Sequence, residues 1–114
     1  MSTKRPSRLA TRALIFAALG DETRLLVLAR LSDGRPQSIA RLTAGTNLTR
    51  QAVTKHLKVL ANAGVVRNVR SGRENLFELK PQPIDEARNY LDQVSRQWDE
   101  ALARLKRFVE DERA

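Results

Sequence analysis

The chain has no cysteine and one histidine, and only 4% of its 114 residues are aromatic. Without cysteine there is no disulfide framework, no thiolate metal ligand and no cysteine nucleophile. One histidine, His56, builds neither a metal site nor a catalytic triad alone, and no glycine-rich phosphate loop or motif-placed carboxylate pair is present. The composition therefore argues against an enzyme, and no cofactor is expected. Long apolar runs are missing too: nothing approaches the roughly 20 residues of a membrane span or follows MSTKRPSRLATR as a signal peptide would. A soluble, cytoplasmic protein with no membrane partner is expected.

Acidic residues are scarce where it matters. The formal charge is +8, from 21 Lys and Arg against 13 Asp and Glu. Residues 84–114 carry 6 basic and 8 acidic residues, for −2, which leaves 15 and 5, for +10, on residues 1–83. Between Glu22 and Glu74 the only acid is Asp33. A field of this kind favours a polyanionic partner.

What is present is mostly leucine, valine and alanine at helical spacing, enough for one domain with a modest core. Leu9, Ala13, Phe16 and Ala17 mark a first helix that stops at Gly20. Asp21 caps a second, whose Leu25, Leu28, Ala29 and Leu31 are expected to face the core. A short third helix spans Ser38 to Thr43. A four-residue link, Gly45 to Leu48, joins it to the next, with Asn47 expected in the left-handed conformation, Leu48 anchoring the turn and Thr49 as cap. A link this short forces a steep crossing, the geometry of a helix-turn-helix.

After Gly64 the pattern becomes extended. VVRNVR and ENLFELK, separated by SGR at 71–73, read as a two-stranded hairpin whose end is marked by Pro81 and Pro83. From Ile84 onward, Ile84, Ala87, Leu91, Val94, Trp98, Ala101, Leu105 and Phe108 alternate steps of 3 and 4. The expected fold is mainly α with a two-stranded β-hairpin wing: a winged helix-turn-helix with a long C-terminal helix. It divides into a basic flexible tail (1–8), the winged domain (9–83) and a C-terminal dimerisation helix (84–114) within one compact domain.

The fourth helix holds the chemistry. Val53, Leu57 and Leu60 cluster on one side, with Arg50, Gln51, Thr54, Lys55 and Lys58 opposite. Arg and Lys reach guanine acceptors or phosphates, Gln bonds adenine through both ends of its amide, and Thr meets a phosphate or a thymine methyl. The hairpin adds Arg67, Arg70 and Arg73, the last two nearest its tip. His56 falls at the core boundary. A stripe of about four heptads runs some 40 Å, longer than so small a domain can cover. A homodimer interface through Leu91, Val94, Trp98, Leu105 and Phe108 is therefore expected, joined by Leu9, Ala13 and Phe16.

The segments LGDETRLLVLARL, LTRQAVTKHLKVLANAGVV and RSGRENLFEL, in that order, resemble the ArsR family of bacterial winged helix-turn-helix repressors over residues 9–80. The resemblance implies a homodimer that binds a palindromic double-stranded DNA operator, usually repressing its own operon. It also implies that Thr49, Arg50, Gln51, Thr54, Lys55 and His56 lie in the recognition helix, 49–63, and Arg70 and Arg73 in the wing, 65–80. Metal sensors of that family commonly carry a cysteine cluster near the third helix or carboxylate and histidine ligands on the last. This chain has neither set, so no metal site is expected, and any small-molecule inducer is unknown. The rival reading is a winged-helix protein-interaction module. The Gln and Thr among the charges of the fourth helix argue against it.

Overall fold

The computed structural model describes residues 7–113. Eight elements follow in order: α1 (Arg8–Leu19), α2 (Glu22–Leu31), β1 (Gln37–Ser38), α3 (Ile39–Thr43), α4 (Arg50–Asn62), β2 (Val66–Ser71), β3 (Glu74–Leu79) and α5 (Pro81–Arg113). The expected tail falls mostly outside the described residues, except that Ser7 caps α1 and Arg8 is its first residue. Each of the first four helices opens on a side chain that accepts an otherwise orphaned backbone N–H. Ser7 accepts from Ala10, Asp21 from Arg24, Ser38 from Arg41 and Thr49 from Ala52.

The core is a cluster of small aliphatic side chains. Ile15 and Ala18 of α1, Val27 and Leu31 of α2, Leu42 of α3, and Val53, Leu57 and Leu60 of α4 meet Val65, Val66 and Ala87. Leu48 packs against it from the link, as its position in the sequence predicts. On α2 the buried face is turned from the expected one. Val27 and Leu31 are buried and Leu28 half-buried, whereas Leu25 and Ala29 are exposed. Leu25 and Leu26 instead wall an open cleft of about 670 Å³ against Leu48 and the α3–α4 link.

Three further details differ from the sequence reading. The sheet has three strands in the order β1-β3-β2, all antiparallel, because Gln37 and Ser38 pair with Phe77 and Leu76 beside the hairpin. Two residues are too few to show a period, so the third strand is silent in the pattern. The left-handed position in the link is Gly45 (φ 75°) and not Asn47; no non-glycine residue among those described has positive φ. Glycine takes that conformation without the Cβ penalty, which leaves Asn47 in an ordinary one. Lastly, α5 begins at Pro81, three residues before Ile84. A proline in the first helical turn gives up an N–H that has no helical partner there, so Pro81 and Pro83 start the helix as well as end the hairpin.

Candidate nucleic-acid interface

Helix α4 is fixed from beneath and bare above. Val53, Leu57 and Leu60 are fully buried, while Arg50, Gln51, Lys55 and Lys58 are exposed. Thr54 is half-buried and donates its hydroxyl to the Arg50 carbonyl at 2.7 Å, which leaves its oxygen lone pairs as acceptors. Thr49 is committed to capping the helix. The structure thus brings Arg50, Gln51, Lys55 and Lys58 together as one exposed polar face, with the half-buried Thr54 between Arg50 and Lys58.

The wing projects beside it. Ser71 pairs with Glu74, so the turn consists of Gly72 and Arg73. Gly72 has φ 60°, a first turn position that glycine fills without strain. Arg73 therefore lies in the turn itself, and Arg70 on the β2 strand just before it; both are exposed. Arg67 is placed differently. It faces Glu78 across the strand pair, and its Nε donates to the Glu78 carboxylate. That pairing compensates its charge near the wing's base, while at the tip Arg70 and Arg73 outnumber the one acid there, Glu74.

His56 stands apart from the exposed face. Its side chain is 24% exposed, and its Nδ1 lies 3.4 Å from the Arg24 guanidinium and 3.8 Å from the Asp21 carboxylate. Asp21 is held below the usual carboxylate range, first by the Arg24 backbone N–H it accepts, with the charge of Arg24 adding against some desolvation. A second arginine outside the expected site residues, Arg30, donates through Nη1 to the carbonyls of Ala44 (2.6 Å), Leu42 (3.3 Å) and Arg41 (3.4 Å). It closes the carbonyl end of α3, where the turn toward α4 begins. Neither arginine belongs to an apolar stripe or a short motif, so the only sequence signal is two basic residues flanking the apolar run of α2.

The other candidate surface lies on α1 and α5. Leu9, Leu91, Trp98, Leu105 and Phe108 are each more than half exposed, as are Leu14 and Leu102. Ala13 is exposed too, as are Ala10 and Ala17, which extend the apolar surface of α1 beside the exposed Thr11. Phe16 and Val94 are half-buried in their own chain, Phe16 against the Tyr90 ring at 5.9 Å. Among the described residues, no cluster of three or more His, Cys, Asp or Glu is arranged to hold a metal ion, and no helix is long and apolar enough to cross a membrane.

Comparison with known proteins agrees with this geometry. A family described as a helix-turn-helix domain matches residues 19–69. The HTH-type transcriptional regulator Rv2034 of Mycobacterium tuberculosis is 33% identical over 97 residues, 85% of this chain and 87% of its own. An uncharacterized HTH-type transcriptional regulator of Bacillus subtilis, YuzN, is 38% identical across 61% of this chain and 83% of its own. Among solved structures, an ArsR-like transcriptional regulator from Rhodococcus sp. RHA1 superposes with a TM-score of 0.82 at 35% identity, covering 90% of this chain and 93% of that one. A homodimeric winged helix-turn-helix DNA-binding domain from Mycobacterium bovis shares the fold at 20% identity and TM-score 0.61, over 89% of this chain and 94% of its own. Identity sustained along most of the chain, on a winged helix-turn-helix frame, places it in the ArsR-like family of helix-turn-helix transcriptional regulators.

Proposed function

We propose that this DNA-binding regulator acts as a homodimeric repressor of its own operon, reading a palindromic operator through α4 and the wing. The observation that carries the reading is the exposed face of α4, where Arg50, Gln51, Lys55 and Lys58 stand over a fully buried apolar side. A helix presented in this way fits the major groove, and the mixture of amide and cationic groups suits base edges as well as phosphates. Arg70 and Arg73 at the wing tip would meet the flanking backbone or minor groove. Arg67, paired with Glu78, adds less.

Dimerisation is supported by the apolar faces of α1 and α5, which the rest of the described chain leaves uncovered. Exposed apolar area on this scale marks an interaction surface, and a two-fold partner covers both faces at once. Repression, as opposed to activation, rests on the family. The test is an electrophoretic shift with wild type and Arg50→Ala, Gln51→Ala and Arg73→Ala variants on duplexes recovered from a random pool. The first two changes should relax base preference, while Arg73→Ala should weaken all sequences alike. Equal losses for all three on every duplex would refute this division of roles.

A further inference from the structure

A reading face must be aimed as well as exposed, and the side chains that aim it lie behind it. At the junction of α1, α2 and α4, the Arg24 guanidinium makes three approaches. Its Nε donates to the Ala18 carbonyl at 2.7 Å and its Nη2 to the Ala17 carbonyl at 3.2 Å, both in the last turn of α1. Its Nη1 lies 3.4 Å from Nδ1 of His56, midway along α4. A guanidinium has no acceptor, so this last contact is a hydrogen bond only when Nδ1 offers its lone pair, which puts the imidazole proton on Nε2. Asp21, 3.8 Å from the same Nδ1, meanwhile accepts the Arg24 backbone N–H at 3.0 Å and so steadies the stem of the arginine. One planar fork, rooted on α2, thus grips the carbonyl end of α1 and the flank of α4 together.

We propose that Arg24, acting through His56, is a positioning residue of the recognition helix: it fixes the rotation of the α4 reading face relative to α1, the helix on the dimer surface. The inference rests on the DNA-reading role proposed for α4. Burial of Val53, Leu57 and Leu60 holds α4 down, but a layer of small aliphatic side chains is permissive of rotation, whereas a hydrogen-bonded fork is directional. His56 then works from behind the reading face and not as a phosphate contact. Two reading helices in a symmetric dimer must enter major grooves about 34–36 Å apart, so a rotation repeated in both halves penalises a specific site. Phosphate attraction, which is tolerant of orientation, is left nearly intact.

The test uses the full chain, a duplex selected by the wild type from a random pool, and a scrambled duplex of equal length. Arg24→Gln and His56→Phe are each expected to weaken binding to the selected duplex about tenfold, with about a twofold change or less on the scrambled one and an unchanged salt slope. His56→Asn, whose side-chain oxygen sits close to the position of Nδ1, should restore binding that His56→Phe loses. The double variant Arg24→Gln/His56→Phe should be no weaker than either single one. Thermal melts fix a temperature at which both His56 variants are folded, and their difference in affinity there is the decisive readout. Loss shared equally by both duplexes with a shallower salt slope would make these side chains phosphate contacts and overturn the proposal, as would wild-type affinity in every variant. Failure of the wild type to select any duplex is a separate result: it removes the DNA-reading role, and the positioning role with it.

Discussion

Replacing Trp98 by alanine should separate two protomers without unfolding either. Trp98 is 65% exposed in the single chain, which for a side chain of up to about 250 Å² leaves about 160 Å² open to a partner. At about 25 cal/mol per Å², complete cover would be worth about 4 kcal/mol. Alanine keeps part of that contact and cover at an interface is incomplete, so about 2 kcal/mol per side chain is a sounder figure, in line with aromatic anchors elsewhere. Two-fold symmetry counts the loss twice, about 4 kcal/mol, raising the dimer dissociation constant by nearly a thousandfold. Folding of the separate chain should change by no more than about 0.5 kcal/mol, since nothing buried is disturbed. Sedimentation velocity across a dilution series measures the shift, with Arg96→Ala, on the opposite side of α5, as control. Trp98 is the sole tryptophan, so wild-type emission should also move to shorter wavelength as dimers form. An unchanged sedimentation profile for the variant would remove α5 from the interface.

Other consequences are independent of that surface. Leu57 is 1% exposed between the reading helix and the core, so Leu57→Ala should cost about 2–5 kcal/mol in urea denaturation. Arg73→Ala should reduce the slope of log affinity against log salt by about one, whereas Gln51→Ala should leave that slope alone and flatten the preference between duplexes. Asp21 has a carboxyl pKa lowered in the folded chain, so its contribution is present above the unfolded value and is lost as pH falls through the folded one. Chemical denaturation at pH 6 and at about pH 3 should therefore show a smaller acid-induced loss for Asp21→Asn than for wild type. An identical loss would mean that the cap does not discriminate ionised from neutral forms.

How much of this was legible in the sequence depended on the range of the interaction. Caps are local, and Asp21 and Thr49 each stand one residue before the helix they open, whereas Ser38, expected as the first residue of the third helix, caps it instead. The α4 stripe of Val53, Leu57 and Leu60 is equally local, because the helical period alone sorts it from the polar face. Helix α2 was harder: Leu25, Leu26, Val27 and Leu28 are consecutive and apolar, so periodicity does not choose among them, and packing against α1 and α4 turns Val27 inward. The edge strand Gln37–Ser38 exists only through its pairing with β3, about forty residues away. The same reason hid Arg24 and Arg30, whose partners are carbonyls and a histidine on other elements. Within the candidate interface, the sequence separated Arg70 and Arg73 from the core but carried no sign that Arg67 would be taken up by Glu78.

The central claim is that the exposed face of α4 reads base sequence as one half of a symmetric pair. Selection of bound duplexes from a random pool, by wild type and by Gln51→Ala in parallel, addresses it directly. For the wild type, a two-fold symmetric consensus is expected, with half-sites about 10 base pairs apart or a multiple of that. The variant should return the same spacing with weakened preference at one position in each half. A consensus without symmetry, or one that Gln51→Ala leaves untouched at every position, would contradict it.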